Sequence, residues 1–104
     1  MNAISKPTSR VALRLFVTGA TPSAERAKAC IAQVREDLRK QCVTVDVQVI
    51  DVLSNPDAAA IDDVFATPTV IRVSPAPGRR LFGDLSSPEM VMIGLQILPE
   101  TVPA

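Results

Sequence analysis

The spacing of hydrophobic and polar positions changes several times along the chain, and each change marks an element. Arg10 to Thr18 (RVALRLFVT) alternates. Val11, Leu13, Leu15 and Val17 share one face and Arg14 and Phe16 point the other way, which predicts a strand with one well-buried face. Gly19-Ala20 breaks the pattern. Thr21-Pro22 then opens a helix: Thr is a good N-cap, and Pro suits the first helical position because its missing N–H has no partner there. Ala27, Ile31, Val34 and Leu38 recur at helical spacing with Cys30 at the edge of the stripe. Arg39 and Lys40 fall in the last turn, where cations suit the helix dipole. Val43, Val45, Val47 and Val49 alternate with Thr44, Asp46 and Gln48, a second strand. Val49, Ile50, Val52 and Leu53 then crowd around Asp51, which predicts a strand end buried on both faces or a bulge.

Asn55-Pro56 repeats the cap-plus-proline signal and opens a short helix to about Val64. Val70, Ile71 and Val73 form a third strand after Pro68. A turn over Ser74-Pro75-Ala76-Pro77-Gly78 leads to a fourth strand, Arg79 to Gly83. Ser87-Pro88-Glu89 is the third helix start, with Ser86 and Glu89 spaced as a capping box. The final helix carries Met90, Val91, Ile93, Leu95, Ile97 and Leu98, and Pro99 ends it. The order is βαβαββα. A helix between the first two strands implies a parallel pair with a right-handed crossover, and the short turn between the last two implies a hairpin. That is a thioredoxin-like α/β arrangement. The expected organisation is a flexible lead-in over 1–9, one domain over 10–99 and a short tail over 100–104. With three Phe and no Trp or Tyr among 104 residues, aliphatic packing must carry the core.

Charge and chemistry narrow the function. Eleven basic and eleven acidic side chains cancel, which argues against a phosphate backbone as partner. The chain has no apolar run of about 18 residues, and residues 1–10 lack the apolar centre of a signal peptide, so a cytoplasmic protein is expected. Cys30 and Cys42, twelve residues apart, fit neither a metal nor a redox spacing and read as buried or half-buried thiols. Thioredoxins carry a Cys-x-x-Cys pair after the first strand; that place holds Gly19-Ala20-Thr21-Pro22 here. There is no histidine, no metal-like carboxylate pair and no nucleophile–base set, so no catalytic, metal or cofactor site is expected. Asp51 reads as an acceptor for the Leu53–Asn55 turn. Thr67-Pro68, within Ala66-Thr67-Pro68-Thr69-Val70, sits where thioredoxin-like folds place a cis proline whose exposed backbone can pair with an extended partner. A proline at the start of an edge strand is the alternative. Arg79-Arg80, with Arg72 nearby, is the local basic cluster: either a surface for a carboxylate-rich partner or a solvated hairpin with Asp84 as counter-ion. Gly94 lies inside the last helix, where glycine costs roughly 1 kcal/mol relative to alanine. It marks either a functional weakness or close packing, and Gly94→Ala is expected to strengthen the helix.

Five segments in order are more specific. Leu15-Phe16-Val17-Thr18-Gly19-Ala20-Thr21-Pro22 resembles the "LYVAGNTP" of the KaiB family of bacterial circadian-clock proteins. Val49 to Pro56 resembles its "VIDVLKNP", Ala66 to Thr69 its "ATPT", Arg79 to Ser86 its "RRIIGDLS" and Val91 to Leu95 its "VLIGL". The resemblance implies a non-enzymatic protein without cofactor that docks on the KaiC ATPase ring and regulates a clock, or a simpler timer or stress pathway. It implies KaiA or a sensor kinase as further partners. It also implies a metamorphic chain: a ground state of order βαββααβ, a tetramer or dimer, exchanging with a thioredoxin-like monomer that binds KaiC. The implied contact residues are Arg72, Arg79 and Arg80. The implied fold-balance positions are Gly94, Gln96 and Val11, with Thr67 and Pro68 as the structural proline step. Gln96 stands where cyanobacterial members often have Asp, and Val11 where the family has Tyr. The acidic tail of many members is replaced by Pro99-Glu100-Thr101-Val102-Pro103-Ala104. The competing reading is a thioredoxin-like sensor or adaptor domain for a signalling kinase.

Overall fold

A computed structural model describes residues 9–97; residues 1–8 of the expected lead-in over 1–9, the tail and the expected stop at Pro99 lie outside the described residues. The elements are β1 (Arg10–Val17), α1 (Pro22–Arg39), β2 (Thr44–Asp51), α2 (Pro56–Ile61), β3 (Thr69–Ser74), β4 (Arg79–Phe82) and α3 (Pro88–Gly94). They form one four-stranded mixed sheet of order β2-β1-β3-β4. β1 runs parallel to β2, from Arg10 opposite Thr44 to Val17 opposite Asp51, and antiparallel to β3. β3 and β4 make the expected hairpin, with Thr69 opposite Phe82 and Arg72 opposite Arg79. The order βαβαββα is thioredoxin-like, as the sequence leads one to expect. No helix among the described residues is long and apolar enough to cross a membrane.

The core lies on one face. Val11, Leu13, Leu15 and Val17 meet the α1 stripe of Ala24, Ala27, Ile31, Val34 and Leu38, and Val91, Leu95 and Ile97 close it from the α3 end. Thr21 caps α1, its Oγ1 accepting from Ala24 N at 3.2 Å. Ser87 caps α3 in the same way, accepting from Met90 N at 3.3 Å. The third cap differs: Asn55 makes no capping bond.

Three expectations are corrected. Phe16, placed by alternation on the face opposite the well-buried one, is fully buried; β1 is a central strand with another strand on each side. Val49, placed on a buried face, is about half exposed, because β2 is an edge strand and α1 does not reach over its far end. The last helix stops at Gly94 rather than running to Leu98. Gln96 takes φ +53°, Gln96 N bonds Ile93 O, and Ile97 N bonds Met92 O. These are the two backbone bonds of a Schellman motif with Gln96 at the left-handed position.

The other helices end alike. Cys42 (φ +63°) holds that position after α1, where Val43 N bonds Leu38 O, and Asp63 (φ +54°) holds it after α2, where Val64 N bonds Ala59 O. Glycine is the usual residue there and is the sequence signal for a helix stop. None of these three ends has it.

Candidate partner-binding surface

Three loops meet at the end of the sheet where thioredoxins carry their redox pair. Gly19, at φ +55°, turns the chain out of β1. Its N–H donates to Asp51 Oδ1 at 3.0 Å, and Leu53 N–H donates to the same oxygen at 3.0 Å. These two donors, Gly19 first, hold the Asp51 carboxyl below the usual aspartate range. The expected turn acceptor is therefore present, and it also ties the β2–α2 loop to the β1–α1 loop. The hydroxyls of Thr18 and Thr67 lie 2.6 Å apart and tie in the third loop. The Thr67-Pro68 bond is cis, as are Ser74-Pro75 and Ala76-Pro77. Thr69 Oγ1 donates to Ala66 O at 2.6 Å, and Gly83 N donates to Pro68 O at 3.3 Å, which closes this end against β4.

No thiol reaches this end. Cys30 is buried on α1, and burial followed by the Asp84 carboxylate pushes its thiol pKa up, away from nucleophilic thiolate. Cys42, expected to be at least half-buried, is exposed in the turn after α1, at the other end of that helix.

The basic trio is divided by strand geometry. Successive residues of a strand point to opposite faces. Arg72 faces the α3 side, is 6% exposed, and donates to Leu95 O (2.8 Å), Gln96 O (2.9 Å) and Pro77 O (2.6 Å). Its role in the fold is to clamp the C-terminus of α3 to the β3–β4 turn, so it is not part of an exposed cluster. Arg79, opposite it, is exposed. Arg80 points to the other face and donates to Asp62 O (2.7 Å) and Asp63 O (3.0 Å), the carbonyls at the end of α2. Asp84 is therefore not its counter-ion. Arg14 reinforces that tether with an ion pair to Asp62 at 2.9 Å. α2 buries no side chain of its own, so these arginines carry much of its attachment.

The sequence reading missed the aromatic pair beside Arg80. Phe65 is 93% exposed and Phe82 67% exposed, and with Asp63, Ala66, Thr69 and Arg80 they line a shallow pocket of about 140 Å³. Two of the three phenylalanines thus lie outside the core. The available signal was Phe65 itself, a large apolar residue in a segment without strand or helix period, directly before Ala66-Thr67-Pro68. Exposed aromatics next to an arginine are the composition of binding hot spots.

The remaining expected positions are structural. Val11 is fully buried at the start of β1. Gly94 is the last residue of α3 and faces Leu81 of β4. Gln96 is the left-handed residue that ends α3.

Known proteins are similar to this chain in fold and in sequence. The N-terminal domain of Synechococcus elongatus SasA superposes with a TM-score of 0.67 at 20% identity, covering 98% of this chain and 95% of that one. Thioredoxin 1 from Thermosipho africanus gives 0.64 at 22% identity, covering 82% and 90%. The circadian clock oscillator protein KaiB of Rippkaea orientalis is 42% identical over 86% of this chain and 85% of its own length. The circadian clock protein KaiB3 of Synechocystis is 40% identical over 88% of each. The KaiB domain model matches residues 14–97, nearly all of the described fold, and the chain belongs to the KaiB family.

Proposed function

We propose that this chain is a non-enzymatic clock-type regulator that docks on a KaiC-type ATPase through the Phe65–Arg80–Phe82 surface. The observation that carries the reading is the exposed aromatic pair flanking Arg80, set on an end made rigid by the Asp51 and Thr18–Thr67 bonds. Phe65 and Phe82 would supply apolar anchors and Arg80 beside them would meet a carboxylate at the rim, while Arg79, exposed on the other face of β4, would be reached by a partner that wraps that edge of the sheet. Arg72 would act from within, by holding the hairpin that presents them. KaiA or a sensor kinase would be further partners in the same pathway, in the cytoplasm.

The proposal includes exchange with a second, oligomeric fold of the other element order, a tetramer or dimer. The second half suits such exchange: α2 has no fully buried side chain, α3 has seven residues, and Met90 and Ile93 on it are largely exposed.

The test is co-elution of the purified chain with a KaiC homologue, under ATP and ADP, after hours of incubation. The parent should bind. Phe65→Ala and Phe82→Ala should weaken binding at least about tenfold, as hot-spot truncations do, while melting like the parent. A parent chain that never co-elutes would remove the reading, and wild-type affinity in both variants would move the surface elsewhere.

A further inference from the structure

A second concave site lies away from the proposed docking surface, between α1 and the outer strand β2. Leu15 forms its floor, Ile31 and the half-buried Val47 its walls, and Val49, 49% exposed, its lip; the volume is about 480 Å³. That is within the range of small-molecule pockets, which are mostly apolar with a few placed polar groups.

Its rim is cationic. Lys28, Arg35 and Arg39 stand around the opening with one carboxylate, Glu36. Arg39 is engaged by Glu36 through Nε (3.2 Å) and Nη2 (2.5 Å), and Lys28 by Glu25 at 3.2 Å. Among the described residues Arg35 has no ion pair, which leaves one uncommitted guanidinium over an apolar trough.

One free guanidinium matches one negative charge of planar geometry, which it can hold through two parallel N–H···O bonds. A dianionic head would call on the two cations that Glu25 and Glu36 already occupy. We propose that the α1–β2 groove is a binding site for an aliphatic monocarboxylate, its head on Arg35 and its chain along Ile31, Val47 and Val49. This site is independent of the KaiC-docking reading, because it shares no residue with that surface and its test needs no partner protein.

The test is a titration of the full chain with octanoate, followed by backbone amide NMR, with octanol as the uncharged control. Saturable shifts centred on Arg35, Val47 and Val49, with octanol much weaker, are expected. Arg35 is exposed, so Arg35→Gln should keep the parent's melting curve and weaken octanoate at least about tenfold, the loss of a charge-assisted hydrogen bond. Val49→Asp, which sets a carboxylate on the lip, should abolish binding. Shifts gathered around Phe65 and Phe82, binding that never saturates, octanol binding as tightly as octanoate, or full affinity in Arg35→Gln would each overturn the proposal.

Discussion

A methyl group on Gly94 would lie 3.0 Å from Cδ2 and 3.1 Å from Cδ1 of Leu81, the residue of β4 that packs beneath the end of α3. Close packing therefore accounts for this glycine, and it alters the expected effect of Gly94→Ala. The helix would gain up to about 1 kcal/mol in propensity. The crowding of Leu81 costs a similar amount, about 1 kcal/mol or more. The single variant should change stability by less than propensity alone requires, or lower it. In a Leu81→Ala background the same substitution should stabilise. Urea denaturation of the two single variants and the double variant gives the coupling, and additivity would show that Leu81 does not set the sign.

The three helix ends make a second prediction. Cys42, Asp63 and Gln96 each hold a left-handed conformation that costs a residue with a Cβ roughly 1 kcal/mol. Gln96→Gly should therefore stabilise the described fold by about 0.5–1 kcal/mol, with slower amide exchange at Ile97. Gln96→Val should destabilise it, since a β-branched side chain tolerates that conformation least. Equal midpoints for the Gly and Val variants would contradict the assignment.

Arg72 is a buried cation that meets carbonyl oxygens only. Its Nε is buried without a partner among the described residues. Arg72→Met removes all three donated bonds and leaves the carbonyls of Leu95, Gln96 and Pro77 short of donors, at a cost of about 2–4 kcal/mol. Arg72→Lys should recover only part of this, because an ammonium cannot span the α3 end and the hairpin turn as the guanidinium fork does. Hydrogen exchange should speed up at α3 and at the β3–β4 turn together. Loss of protection at one without the other would show that the clamp does not couple them.

Asp51 makes the Gly19 loop sensitive to acid. Its folded-state pKa lies below the usual aspartate value, so the carboxylate favours folding above that value. The contribution is lost as pH falls from about 3.9 through the lower folded value. Glu36, held down chiefly by its hydrogen bond from Arg39, is lost over the same kind of acid limb, but on the outer face of α1. Asp51→Asn should flatten part of the acid slope of stability. In the parent, the amide of Gly19 should shift with the Asp51 titration. An Asn variant with the parent's full acid slope would place the effect in other carboxylates.

The element order, the parallel crossover, the hairpin and the caps at Thr21 and Ser87 are local matters, set by period, proline and capping residue, and they are legible in the chain. So is the absence of Cys-x-x-Cys between Gly19 and Pro22. The family is legible too, because its five segments are runs of adjacent residues. Helix ends were less so. The basic last turn at Arg39 and Lys40 marks the end of α1 and the pattern ends α2 near Val64, but without a glycine nothing local announces the stop of α3 at Gln96, which depends on a backbone bond reaching back five residues.

What neighbours decide is where sequence reading fell short. Alternation places Arg72, Arg79 and Arg80 within reach of one another along the chain and across one hairpin. Only the sheet shows that Arg72 is enclosed by α3, that Arg79 faces outward beside it, and that Arg80 turns to the opposite face to hold α2. Period two also assigns Phe16 and Val49 to faces, but burial depends on what surrounds the position: β1 is central, with a strand on each side, whereas β2 is an edge that α1 leaves partly bare. The sequence alone determined the strands, the helices, their order and the lost redox pair, because these follow from short-range geometry. The exposed Phe65–Arg80–Phe82 surface and the buried Arg72 clamp were decided only by tertiary packing, because exposure and hydrogen bonding belong to pairs of segments distant in the chain.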